Sequence, residues 1–86
     1  MSGFDELTKR LDEAQKAAKE LDGVLGTIKF NPADSRDVDR AIKDMERAVD
    51  SKASRYHRNQ LVKEIADKLK DHFREEILKI ASQAKR

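Results

Sequence analysis

This chain of 86 residues has no cysteine, no tryptophan, one proline and three glycines. The missing cysteine closes off disulfide staples and thiolate metal sites. No apolar run approaches the ~18 residues that a membrane-crossing helix needs. The opening stretch MSGFDELTKRLDEAQ has no apolar segment of the signal-peptide kind, so the expected compartment is the cytoplasm, with no membrane partner. Scarce glycine excludes more. Neither Gly-x-Gly-x-x-Gly nor a P-loop occurs, and DGVLG has two glycines three apart, which is turn chemistry. No serine sits in the Gly-flanked turn of a nucleophile elbow. The expectation is a protein that is not an enzyme, with no cofactor and no evident small-molecule substrate.

Large apolar side chains are also few. Leu, Ile, Val and Phe together supply 19 of 86 residues, little above the fifth of the chain below which sequences tend to stay disordered. Charged residues make up 42% and mean hydropathy is −0.88. A single small domain over residues 1–86 with so thin a core is marginal. Without disulfides, oligomerisation is the remaining rescue. The net charge of +2 is too small to imply a polyanionic partner by itself.

What is present is mostly helical rhythm. Ser2 and Asp5 read as a capping signal. Phe4, Leu7, Leu11, Ala14, Ala18 and Leu21 then recur at spacings of 3, 4, 3, 4 and 3, a heptad seam. Gly23 is placed to end this helix in the left-handed conformation. Val38, Ala41, Ile42, Met45, Val49 and Ala53 form the face of a second helix, capped by Asp34 or Ser35. Leu61, Ile65, Leu69, Phe73, Ile77 and Ile80 form the face of a third, widened by Val62, Ala66 and Leu78 and capped by Asn59. RYHRN reads as the turn between them, with Tyr56 and His57 packing there. The predicted fold is all-α, with helices at about 3–22, 34–55 and 60–84.

One stretch breaks the rhythm. In GVLGTIKFNP, Ile28 and Phe30 alternate with Thr27 and Lys29, the period of a strand. A strand over about 25–30 needs a hydrogen-bonding partner, and the rest of the chain offers none. Three arrangements fit. The segment is a loop whose Val24, Leu25, Ile28 and Phe30 plug the core, a ribbon paired with its own copy, or a strand added to another protein's sheet.

The charges are segregated. Ser51 to Lys63 holds four bases (Lys52, Arg55, Arg58 and Lys63) and no acid, whereas residues 1–22 and 34–50 each carry six acids and four bases. Arg and Tyr interleaved at a helix junction suit phosphates and bases. They suit better still the C-terminal dipole of helix two and an acidic neighbour, which is the preferred reading of the patch. His72, near Asp71, Glu75 and Glu76, lacks the further ligands of a metal site and reads as a surface histidine.

The run LDGVLGTIKFNPADSRDVDRAIKDMERAVD resembles short uncharacterised bacterial helical proteins with a Leu-Asp-Gly, Leu-Gly, Phe-x-Pro core. Here those elements are Leu21 to Gly23, Leu25-Gly26, and Phe30 with Pro32. The resemblance implies a bacterial or mobile-element origin and brings no activity with it. The expected function is therefore protein–protein interaction, as a homodimer or with another protein. Phe4, Leu7, Leu11, Leu25, Ile28 and Phe30 are the expected contact residues. The alternative is a nucleic-acid-binding accessory protein using Lys52, Arg55, Arg58 and Lys63.

Overall fold

The computed structural model describes residues 3–56 and 58–84. Ser2 and His57, with the cap and turn roles expected of them, lie outside that range. The elements run α1 (Gly3–Asp22), a single helical turn α2 (Val24–Thr27), α3 (Ser35–Ala53), a short 3-10 turn (Ser54–Tyr56) and α4 (Gln60–Ala84). The fold is all-α, and the chain does break between the second and third long helices.

Helices α3 and α4 form an antiparallel hairpin. α3 buries Val38, Ala41, Met45 and Val49 on one stripe. α4 buries Val62, Ala66, Phe73, Ile77 and Ala81. This is the expected apolar face of α4 turned by about one position. Leu61, Ile65 and Leu69 are only half-buried, and Leu78 and Ile80 are exposed. Periodicity alone could not separate those neighbouring stripes. Packing against α3 does, because it favours the stripe where small Ala66 and Ala81 let the helices approach. Lys70 ties the hairpin midway, its Nζ donating to Asp50 Oδ1 at 2.8 Å. Asp34 caps α3 by accepting from the Arg36 N–H at 3.0 Å, and Asn59 caps α4 by accepting from the Leu61 N–H at 3.0 Å.

The expected strand over 25–30 is not formed: Val24–Thr27 is a helical turn and the described residues hold no strand. Gly23 has φ −80° and ψ −9°, right-handed values. Instead of ending the helix in a left-handed cap, it bends it into α2. Thr27 Oγ1 donates to the Val24 carbonyl at 2.7 Å and the Ile28 N–H to the Leu25 carbonyl at 3.1 Å. The linker's remaining polar groups turn to α3. The Asn31 N–H donates to Asp37 Oδ2 at 2.6 Å and Arg40 Nη2 to the Lys29 carbonyl at 2.7 Å. Asn31 in turn accepts at its side chain from the Ala33 N–H, at 3.0 Å. A strand partner is therefore unnecessary. Leu25, Ile28 and Phe30 are half-buried and pack on the main core of Leu21, Val24, Val38, Met45, Val49, Ala66, Phe73, Ile77 and Ala81. The segment is the plug.

Two measurements test this account. Met45 is fully buried at the centre of α3, so Met45→Ala should lower stability by about 2–4 kcal/mol, whereas Leu78→Ala, at an exposed position, should change it by less than about 1 kcal/mol. Denaturant unfolding followed by circular dichroism reads both. The second test uses pH. Hydrogen bonds from Arg40 and from the Asn31 N–H hold the Asp37 carboxyl below its ordinary value of 3.8. A lowered folded pKa stabilises the fold above the unfolded value, and this contribution is lost as pH falls through the folded one. Stability should therefore drop on acidification below about pH 4, and Arg40→Ala should flatten that dependence.

Candidate interaction surface

α1 carries two apolar faces. Ala14, Ala17 and Leu21 are buried. The first two pack with Val62 of α4, and Leu21 enters the main core. Phe4, Leu7 and Leu11 are 73%, 51% and 49% exposed. At 100° per residue the two triplets are centred about 80° apart around the helix. Ala14 and Leu21 belong to both the intrachain face and the heptad. The seam read from spacing is therefore split. Its C-terminal half packs within the chain and its N-terminal half faces solvent.

The split follows from where α1 meets the hairpin. Asn59, 4% exposed, donates from Nδ2 to the Arg10 carbonyl and to Glu13 Oε1, both at 3.0 Å. The hairpin's turn end is thus level with the middle of α1, and α1 runs parallel to α4 from there. Every residue from Gly3 to Asp12 is exposed. α1 overhangs the turn, and the molecule measures 59 × 18 × 15 Å. Its radius of gyration, 15.5 Å, exceeds the roughly 12 Å of a compact chain this long.

Between the overhang and the turn runs a groove of about 460 Å³, with Lys9, Arg10, Arg55 and Arg58 in its lining beside Tyr56, Asn59, Glu6 and Glu13. The linear basic patch is therefore divided. Arg55 and Arg58 join Lys9 and Arg10 from α1, while Lys63 lines a different depression with Lys70, Asp50 and Asp67. Lys52 lines neither groove. Only the fold could reveal the Lys9–Arg10 contribution, because those residues precede the patch by some 45 positions in the chain.

Charge is partly matched in and beside the groove. Arg10 lies 3.7 Å from Glu6 and Arg55 4.0 Å from Glu20. Tyr56 Oη donates to Glu20 Oε1 at 3.4 Å. Removal of the phenol from water, with the Glu20 charge beside it, raises the Tyr56 pKa and keeps the hydroxyl a donor. Glu20 Oε2 is buried without a hydrogen bond among the described residues. His72 is exposed on α4, its ring 6.0 Å from that of Phe73. Among the described residues no group of three or more His, Cys, Asp or Glu could hold a metal, and no helix is long and apolar enough to cross a membrane.

Fold and surfaces together define a class: a short three-helix protein with an exposed apolar helix face and a cationic groove. The family model YuaX matches residues 1–86, and the chain belongs to the YuaX family. It is 30% identical over 83 residues, 96% of this chain and 85% of the relative, to "Uncharacterized protein YuaX" of Escherichia coli strain K12. The likeness to short bacterial helical proteins thus extends from the middle third to the whole chain. No solved structure matches it.

Asn59 is the residue on which both surfaces rest. Asn59→Ala removes a cap and the tie to α1, and should lower stability by about 1–3 kcal/mol. Asn59→Asp keeps the capping oxygen but sets a carboxylate against Glu13. It should restore α4 without restoring the α1 contact, which amide exchange in α1 and α4 would separate.

Proposed function

We propose that this chain is a non-enzymatic cytoplasmic protein that works by protein–protein contact, forming a homodimer. The observation that carries the reading is the exposed Phe4–Leu7–Leu11 stripe. Three large apolar side chains stand on one face of a regular helix, beyond the reach of the chain's own core. Solvent-facing heptads of this kind are stabilised by a second helix. Leu25, Ile28 and Phe30 support the interaction indirectly, by closing the core on which α1 rests.

Light scattering across a dilution series tests it. The expected mass approaches twice the 9.9 kDa of the chain at high concentration. Leu7→Glu with Leu11→Glu should weaken self-association at least tenfold while leaving helicity unchanged, because both residues are half-exposed in the single chain. A monomeric mass at every concentration, with no other protein bound, would end the reading.

Convergence of Lys9 and Arg10 on Arg55 and Arg58 favours a second reading, nucleic-acid binding through the groove. Affinity for short duplex DNA or RNA would then fall with salt. Arg55→Ala and Arg58→Ala would each reduce the salt slope by about 1, and Lys63→Ala would leave it unchanged. No binding at low salt excludes it.

A further inference from the structure

The charges in and beside the groove are unequally engaged. Glu13 accepts from the Asn59 amide at 3.0 Å, and Glu6 lies 3.7 Å from Arg10. Glu20, beside the groove, accepts from the Tyr56 hydroxyl at 3.4 Å and lies 4.0 Å from Arg55. Lys9 faces the groove from α1 and Arg58 from the turn. Among the described residues neither of these two has a carboxylate within 4.0 Å. The acids are occupied and two cations are not.

We infer that the groove takes single-stranded nucleic acid, with Lys9 and Arg58 on its phosphates and Tyr56 against a base. This deepens the nucleic-acid reading of the groove and rests on it. Size is the first argument for a single strand over a duplex. About 460 Å³ is the scale of a small-molecule site, which accepts a nucleotide-sized ligand and not a double helix.

Charge placement is the second. A duplex is read by an element that enters one of its grooves. The exposed overhang from Gly3 to Asp12 is ill suited to that, because its three acids (Asp5, Glu6 and Asp12) outnumber its two bases (Lys9 and Arg10). Lys9 and Arg10 gain cationic company only across the groove, from Arg55 and Arg58. A phosphate chain must therefore come into the groove, where a single strand fits.

The third is the aromatic ring. Tyr56 is half-buried in the groove's lining, and its hydroxyl bond to Glu20 restrains the ring. A ring set among Lys and Arg is the arrangement that holds unstacked bases, and bases inside a duplex have no free face to offer. Glu6 and Glu13 would repel a bare polyanion, yet they can accept from the exocyclic amines of exposed bases.

Tyr56 also supplies the test. It is the only tyrosine and the chain has no tryptophan, so intrinsic emission reports on the groove. The full-length chain is titrated with a single-stranded oligonucleotide of about ten residues. Tyrosine emission should be quenched saturably, with the dissociation constant that anisotropy of the labelled strand gives. Binding should be about tenfold tighter than to the matching duplex, the gain from one stacked base. With at most four phosphates met, the logarithmic salt slope should be no steeper than about −3.

Lys9→Ala and Arg58→Ala, both at exposed positions, should each weaken binding and reduce that slope by about 0.7 while leaving helicity unchanged. Lys63→Ala, in the other depression, should do neither. Equal affinity for duplex, or binding without quenching, would overturn the single-strand assignment while leaving the nucleic-acid reading in place. Displacement of the strand by an equal concentration of a nucleoside monophosphate would overturn it in favour of a free nucleotide. Equal displacement by polyglutamate, or no binding of either nucleic acid at low salt, would overturn both readings.

Discussion

The side-chain amide of Asn59 holds this structure's two halves together. Its oxygen starts α4, and its nitrogen reaches the Arg10 carbonyl and the Glu13 carboxylate in the middle of α1. A buried amide is costly unless its groups are paired, so one side chain satisfied on both sides fixes the height at which α1 crosses the turn. The exposure of both surfaces follows from that height. The hairpin can cover α1 only from its middle onward, which leaves the first half as an overhang and forms the cationic groove beneath it.

The contact is the more important because α1 is weakly anchored by burial. Its intrachain face is mainly Ala14 and Ala17, and only Leu21, with Val24 in α2, contributes large side chains to the core. Alanine removes little apolar area from water, and the stabilisation scales with that area. The bulk of the hydrophobic core belongs to the α3–α4 hairpin. The linker from Ile28 to Asp34 is tied to α3 by Arg40 and Asp37, and so completes that hairpin rather than seeking a partner outside the chain.

Helix α1 gives its small residues to its own chain and keeps its large ones on an adjacent, solvent-facing side. The groove adds a different chemistry at the same end of the molecule. Lys9 and Arg10 come from the overhang, and Arg55 and Arg58 from the turn. Apolar stripe and cationic groove lie on different sides of α1, separated by the face that meets the hairpin. A helix docked on the stripe would therefore leave the groove open.

Much of this was legible in the order of the residues. The three long helices, the caps at Asp34 and Asn59 and the core face of α3 follow from local spacing and short-range hydrogen bonding, which adjacent residues determine among themselves. Ile28 and Phe30 misled because alternation records only that two side chains share a direction. A plug on a helical core satisfies it as well as a strand does. Which stripe of α4 is deepest, how the heptad of α1 divides, and which bases meet in the groove were not legible. Each depends on the height and rotation at which one helix meets another. The sequence by itself determined an all-α chain with a seam and a basic turn. Only the tertiary structure decided that half the seam stays in water, because burial is a property of neighbours many residues away and no local pattern encodes their distance.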